Sequence, residues 1–419
     1  MSNELCFRTL NHPKPWSLEA YQAVGGYSVF KEILQKQTDP QQILDVLKRS
    51  AMRGRGGAGF PLGTKWSFMK RDLPGQKYLV CNSDEGEPGT FKDRDLLRLN
   101  PHQILEGFLI AAYVTGASVV YHYLRGEFYE GFDRMEQALE EATSLGLVGA
   151  QVLGTNFSIA IHHLVGAGAY IAGEETALMN SIEGKKAFPR FKPPFPATHG
   201  VYGAPTTINN TESYASVPVI LQKGAEWFLK LGTPNNGGCK IFSLSGHVNK
   251  PGNYELSLGI PFKDLLALGG GVWKDRALKA VIPGGSSAPV LPAALVMDLN
   301  MDYDSIARAG SMLGSGAVIV MDDSTCMVKV LRSIAAFYHE ESCGQCSPCR
   351  EGTAWLATLT AQIHEGRATV AALDLLDEVA ANIAGRTICA FGDAAAMPIR
   401  SFIKHFRPEF EDYIINAAH

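Results

Sequence analysis

The sequence predicts an α/β protein in three parts: a layered first portion with a largely parallel sheet, a small α+β module and a helical bundle at the end. Three observations lead there. Helix and strand patterns alternate over roughly the first 230 residues. From Cys239 to about Pro292 the pattern changes to strand pairs around one short helix, and from about Met327 the chain is rich in Ala and Leu with helical periodicity. A chain of 419 residues, 46% of them hydrophobic, can bury a large core, and at about 100–200 residues per domain it holds two or three domains.

The elements follow in order. Pro40–Met52 has helical spacing, Tyr78–Cys81 is a short apolar strand and Gly131–Ser144 an amphipathic helix. Gly107–Leu124 carries no Asp, Glu, Lys or Arg and approaches the ~20 apolar residues of a membrane span. Its punctuation argues otherwise: Asn100 and Pro101 start a helix, Gly116 ends it, and Ser118–Leu124 reads as a strand. His162 and His163 lie in an apolar, strand-like stretch and are read as packing residues. A Pro/Gly/Asn-rich segment at Thr233–Gly238 marks a boundary. Beyond it come a strand at Lys240–Ser245, a turn at Gly252 and Asn253, a return strand at Tyr254–Leu258, a helix at Phe262–Leu268 and a strand at Ala280–Ile282. That order predicts a module of the β-grasp kind.

Charge narrows the function. The formal charge of −4, with 38 basic residues against 42 acidic ones spread along the chain, gives no grip on nucleic acid or an anionic membrane. Met1–Pro13 lacks the pattern of a secretory signal, so the eight cysteines are expected to be reduced.

Four cysteines form a pattern. Cys343, Cys346 and Cys349 stand at two-residue gaps and Cys389 follows forty residues after the third. A tight loop can turn three thiolates onto a cuboidal iron–sulfur cluster while a distant fourth closes the cage. Structural zinc is the alternative, but it usually draws on two separate Cys-x-x-Cys knuckles, and only one cysteine lies on the far arm here. Cys6, Cys81, Cys239 and Cys326 are isolated and show no ligand spacing.

The other candidate sites join glycines to charge. Gly54, Gly56 and Gly59 have the dinucleotide-fingerprint spacing, with Arg55 and Lys65 nearby to favour an anionic ligand. A helix precedes this loop where an ordinary Rossmann unit has a strand, so the motif alone leaves a structural turn open. After the Tyr78–Cys81 strand, Asp84, Glu85 and Glu87 crowd the strand's carboxyl end, where α/β folds bind ligands. A solvated turn would look the same. A second glycine-acid run spans Gly166–Thr176, and Thr206–Glu212 offers amides and hydroxyls. Gly184–Pro196 mixes basic residues, aromatics and prolines, fit to lay an aromatic face on a purine or to be simply a rigid surface loop.

In this order the segments closely resemble the NADH-binding flavoprotein of bacterial NADH-quinone oxidoreductases, the F component of respiratory complex I. The resemblance runs over nearly the whole chain through Arg-Gly-Arg-Gly-Gly-Ala-Gly-Phe, Cys-Asn-Ser-Asp-Glu-Gly-Glu-Pro-Gly, Gly-Ala-Gly-Ala-Tyr-Ile-Ala-Gly-Glu-Glu-Thr, Lys-Pro-Pro-Phe-Pro, Thr-Ile-Asn-Asn-Thr-Glu and Glu-Ser-Cys-Gly-Gln-Cys-Ser-Pro-Cys-Arg-Glu-Gly. It implies an atypical Rossmann-like FMN and NADH domain over residues 1–238, a β-grasp domain over 239–326 and a helical bundle with a 4Fe-4S cluster over 327–419. By position, Gly54, Gly56, Gly57, Lys65, Asn82, Asp84, Tyr170, Gly173, Glu174, Asn209, Asn210 and Thr211 are expected to line the FMN. Arg55, Ala58, Gly59, Gly63, Glu85 and Gly166 would complete the cofactor loops. Phe60, Phe68, Glu87, Glu175, Lys192 and Phe195 are expected to meet NADH.

Glu87 and Glu175 are the carboxylates nearest the expected chemistry, read as binding and orienting groups rather than as general acids or bases. Leu62-Gly63-Thr64 stands where the family has Thr-Gly-Leu, and Ala172 where cysteine is usual. The implied partners are a thioredoxin-like 2Fe-2S subunit and a large multi-cluster iron–sulfur subunit. The chain would then be cytoplasmic, peripheral to the inner membrane and without a span of its own. A diaphorase subunit of a soluble NAD-linked hydrogenase or formate dehydrogenase is the near alternative, and a zinc-binding interaction module the remote one.

Overall fold

In the computed structural model, which describes residues 3–417, the apolar run of the first portion divides where its punctuation falls. Helix Pro101–Thr115 starts after Asn100 and stops at Gly116, whose φ of 74° is the left-handed turn that ends a helix. Nearly all of its residues are buried, which suits a helix apolar on every side. Asn100 caps it differently from expectation: its amide donates to the Cys6 carbonyl (2.8 Å) and to Gln103 Oε1 (3.0 Å), tying down the start of the chain. Among the described residues no helix is long and apolar enough to cross a membrane.

Around that helix stands a four-stranded, all-parallel sheet of β1 (Tyr78–Ser83), β2 (Val119–Leu124), β3 (Ala160–Val165) and β4 (Thr206–Asn210), in the order β3-β2-β1-β4. From β1 the chain winds to β2 and β3 on one side, while β4 pairs on the other. The carboxyl ends of β1 and β4, with Asn82 opposite Asn210, therefore form the kind of crevice in which open α/β sheets hold ligands.

His122 on β2 and His163 on β3 pair in register. Their Nδ1 atoms are 2.9 Å apart, and His122 Nε2 meets Ser83 Oγ at 2.7 Å. His163 thus packs into the sheet as expected, whereas His162 is exposed on the edge strand.

The second sheet has five strands: β5 (Cys239–Gly246), β6 (Gly252–Ser257), β7 (Leu278–Ile282), β8 (Leu291–Pro292) and β9 (Ala317–Asp322), in the order β6-β5-β9-β7-β8. The helix Phe262–Leu268 falls where the sequence placed it. The hairpin turn does not, because Gly252 and Asn253 already belong to β6 and the connection lies at 247–251. Asn253 suits a strand here because its amide donates to the Phe91 carbonyl (2.9 Å) and to Asp95 (2.7 Å), fastening the sheet to the first portion.

A buried ionic group adds to that junction. Lys92 meets Asp93 (2.7 Å) and Glu212 (3.1 Å), and Glu212 also meets Lys240 (3.3 Å). Pairing of this kind is what allows such charges to be buried at all. Helices Met327–Glu340, Ser347–His364, Ala371–Ile383 and Phe391–Ala417 then pack as a bundle around Leu331, Leu356, Leu376 and Phe402.

Burial holds His163 neutral, lowering its pKa to about 4. The unfolded chain takes up that proton near pH 6.5, so this contribution to stability is whole above pH 6.5 and is lost as the pH falls toward 4. Relative to a His163→Gln variant, the wild type should lose about 3 kcal/mol across that window in denaturant titrations. A pH-independent difference would contradict the assignment.

Candidate functional site

The glycine-rich loop closes on itself. Gly54 N–H donates to the Phe60 carbonyl (2.8 Å) and Leu62 N–H to that of Met52 (2.9 Å), so residues 54–60 bulge from a fixed neck. A Cβ on Gly56 would come 3.0 Å from that of Asn210, and Gly57, at φ 131°, has nothing within 4 Å of its Cβ position. The bulge therefore needs glycine to lie against β4 and leaves one side open. Behind it, an open pocket is lined by Gly54, Gly56, Ala58, Gly59, Phe60 and Lys65 of the loop and its following helix. Asn82, Asn209 and Asn210 come from the strand ends, with Glu175, Ile208 and Ser213 completing the wall.

Hydrogen bonds fix the polar groups there. Trp66 Nε1 donates to Asn209 (2.8 Å), Asn82 donates to the Gly173 carbonyl (2.8 Å) and Asn210 caps the helix Thr211–Lys223. Lys65 and Lys192 both reach Glu175, at 3.4 and 2.6 Å. Burial works to raise the Glu175 pKa, but the two lysines outweigh it and hold the carboxyl below its usual range. Glu174 caps the helix Glu175–Ile182 by accepting from Thr176 N–H (2.8 Å) and Ala177 N–H (2.9 Å). Phe60 and Phe68 stand 6.0 Å apart, half exposed, and Phe195 is also exposed.

Several expected ligand residues serve the scaffold instead. Arg55 is fully buried and donates to the carbonyls of Gly237 (2.9 Å) and Cys239 (2.8 Å), so it binds the loop to the second sheet rather than facing an anion. Glu85 accepts from the N–H groups of Asp93 (2.8 Å) and Arg94 (3.2 Å), capping a helix start, and burial beside Asp93 pushes its pKa up to about 8. Gly63 lies where helices touch, a Cβ there falling 2.8 Å from Lys48 N, and Gly166 packs on Tyr123. Thr211 is buried with its hydroxyl 2.6 Å from Ser83 Oγ. Glu87 is not at the pocket wall: its oxygens accept from Tyr170 OH (2.6 Å) and Ser287 N–H (2.7 Å).

The four cysteines, 343, 346, 349 and 389, line one cavity together with Ile171, Pro189 and Phe391. Cys346 precedes the first turn of helix Ser347–His364 and Cys349 lies in it, where the helix dipole favours negative charge. Ile388 N–H points at Cys346 Sγ (3.4 Å) and Ser342 Oγ lies 3.2 Å from Cys349 Sγ, contacts of the type that tune thiolate-bound iron. Burial pushes the Cys389 thiol up to about 12, so binding metal there releases a proton.

One short segment joins the two sites. Tyr170–Gly173 presents the Gly173 carbonyl to Asn82 in the pocket wall and Ile171 to the cysteine cavity, while the Tyr170 ring meets Phe391 edge-on at 5.8 Å.

Family models match three stretches: the Nuo51 FMN-binding domain over residues 47–219, an SLBB domain over 240–320, and the NADH-ubiquinone oxidoreductase-F iron-sulfur binding region over 329–413. The F component of the NADH-quinone oxidoreductase of Rickettsia bellii is 50% identical over 412 residues, covering 97% of this chain and 98% of the relative. This chain belongs to that family of NADH-quinone oxidoreductase F components. The F 2 component of the Rhizobium meliloti enzyme is 48% identical, covering 99% and 98% of the two chains. Among solved structures, an NAD+-reducing NiFe hydrogenase in the H2-reduced state matches at TM-score 0.85 and 36% identity. The match covers 93% of this chain, which spans 64% of the hydrogenase chain.

A chain of this family carries FMN and a 4Fe-4S cluster, and the residues present fit both. The pocket combines a glycine cradle, an amide-rich strand end and Lys65. Close by, Asp84 keeps one buried carboxylate oxygen without a hydrogen-bond partner, an acceptor left for a ligand's N–H, and burial pushes its pKa up to about 7. All four cysteines line one cavity, the number of thiolates that a 4Fe-4S cluster takes.

A Cys346→Ala chain should lose iron and its broad visible absorption while keeping FMN that NADH still bleaches. Retention of four irons per chain with a normal reduced-cluster signal would overturn the ligand assignment.

Proposed function

We propose that this protein takes electrons from NADH and delivers them to partner iron–sulfur subunits of a membrane-attached quinone reductase. The observation that carries this reading is the Tyr170–Gly173 segment, whose Gly173 carbonyl accepts from Asn82 of the flavin-pocket wall and whose Ile171 lines the cysteine cavity. Two neighbouring redox sites with one connecting segment make a relay.

Bound FMN supplies the step a protein side chain cannot, accepting two electrons as a hydride and releasing them singly. The chain's own residues bind and orient. Lys65 and Lys192 bring positive charge beside Glu175, and Phe60 at the pocket with Phe68 beside it offers an aromatic face for a purine, while Phe195 is exposed on the loop that carries Lys192. Glu175, kept ionised by its lysines, suits ribose hydroxyls and repels a 2′-phosphate. Tyr170 packs edge-on against Phe391, which with Ile171 lines the cysteine cavity. The partners proposed are a thioredoxin-like 2Fe-2S subunit and a larger multi-cluster iron–sulfur subunit, at the cytoplasmic side of the inner membrane.

A second reading has one observation in its favour, the likeness to a hydrogenase chain. In that setting the same relay would exchange electrons with a soluble partner. The higher identity to the NADH-quinone oxidoreductase relatives over their full length supports the quinone-reductase reading.

The purified chain reconstituted with FMN should oxidise NADH with ferricyanide as acceptor and should not reduce quinone in lipid. Efficient, inhibitor-sensitive quinone reduction by this chain alone would overturn the proposal. NADPH should be a poor substrate, and Glu175→Gln should raise its kcat/KM relative to NADH by roughly tenfold, the effect of about 1.4 kcal/mol of removed repulsion. An unchanged ratio would remove Glu175 from that role.

A further inference from the structure

Both shoulders of the glycine-rich loop, Gly54 and Gly59, touch the middle module. We propose that Tyr303 and Asp304, which open the module's helix Tyr303–Arg308, are positioning residues that hold the loop in its FMN-binding shape. Flavin affinity is then set partly from outside the flavin domain. The inference rests on the FMN reading of the pocket and adds a determinant of binding that lies behind it.

The helix is itself fixed at its start, where Asp302 accepts from Ser305 N–H (2.7 Å). From there Tyr303 OH donates to the Gly54 carbonyl (3.0 Å), and the tyrosine ring lies 2.8 Å from where a Cβ on Gly59 would stand. Gly59, at φ 62°, thus has two reasons to be glycine: its backbone angle and the ring against it. Arg53 lies over the same ring, its guanidinium carbon 4.4 Å from the centroid. It donates to the Gly59 carbonyl (2.7 Å) and to Asp304 (2.9 Å). Asn236 closes the circuit, accepting from Arg53 (3.2 Å) and donating to the other Asp304 oxygen (3.0 Å). Both shoulders of the loop, Gly54 and Gly59, are held from the middle module, directly or through Arg53.

Such bracing matters because of what the loop is made of. Four glycines in six residues leave the unbraced segment with many backbone conformations, and few of them present its amides to one ligand. Apparent affinity falls in proportion to the fraction of chains already in the competent shape. Tyr303 is not part of the pocket wall, so its effect on a ligand there passes through the loop.

The test compares full-length chains stripped of FMN and titrated with it, following loss of flavin fluorescence, with melting of the flavin-free chains recorded in parallel. Tyr303→Phe, which keeps the ring and removes the bond to Gly54, should weaken FMN binding about five- to tenfold. Asp304→Asn, at a more exposed position that tolerates substitution, should weaken it about two- to fivefold and decides the matter if the tyrosine variant does not fold. Tyr254→Phe is the control: that hydroxyl is buried in the same module and donates to the Lys250 carbonyl (2.7 Å), away from the loop. It should leave FMN affinity within about twofold of wild type. Wild-type affinity in both loop-facing variants would overturn the proposal, as would an equal loss in Tyr254→Phe. A wild-type chain that takes up no FMN would instead defeat the flavin reading, and the brace with it.

Discussion

The carboxylate of Glu87 is where the three parts of the chain meet. It accepts from Tyr170 OH (2.6 Å) on the segment beside the cysteine cavity, and from Ser287 N–H (2.7 Å) and Ser286 Oγ (3.4 Å) on the middle module. Ser286 in turn meets Tyr338 OH (3.0 Å) on the bundle. Burial raises the Glu87 pKa, and the Tyr170 and Ser287 donors oppose it. A carboxylate in such surroundings is costly unless its donors stay in place, so a shift of any one part is opposed by the other two.

That joint gives the pocket and the cysteine cavity a fixed relation. Glu341, just before the first cysteine, accepts from Tyr170 N–H (3.0 Å), adding a second tie between the bundle and the connecting segment. The tyrosine ring is then enclosed edge-on by Phe337, Tyr338 and Phe391. Rings packed on this side and backbone bonds on the other leave the segment little freedom. For electron transfer between two bound cofactors that constraint serves the same purpose as positioning does in bond-making chemistry.

What the sequence revealed depended on whether local spacing carried the signal. Cys343, Cys346, Cys349 and Cys389 were legible because their spacing specifies a shape, and the glycine loop because its composition demands close backbone approach. Arg55, Glu85 and Thr211 were misleading for the same reason. Beside glycines and strand ends they resemble ligands, yet each satisfies a buried backbone or hydroxyl group that only the tertiary fold supplies. Tyr303 carried no signal, being a single aromatic far from the loop in sequence. Nor was the middle strand β9 foreseen, since Ala317–Asp322 is a short apolar run without alternation, of the kind a buried strand and a helix segment share.

The central claim is that flavin pocket and cysteine cavity form one relay within this chain. Rapid freeze-quench paramagnetic resonance of the FMN- and cluster-loaded chain, mixed with NADH under anaerobic conditions, tests it most directly. The reduced-cluster signal should rise during the first turnover with no other protein present. A flavin bleached by NADH beside a cluster that stays oxidised, although a chemical reductant reduces it, would contradict the account.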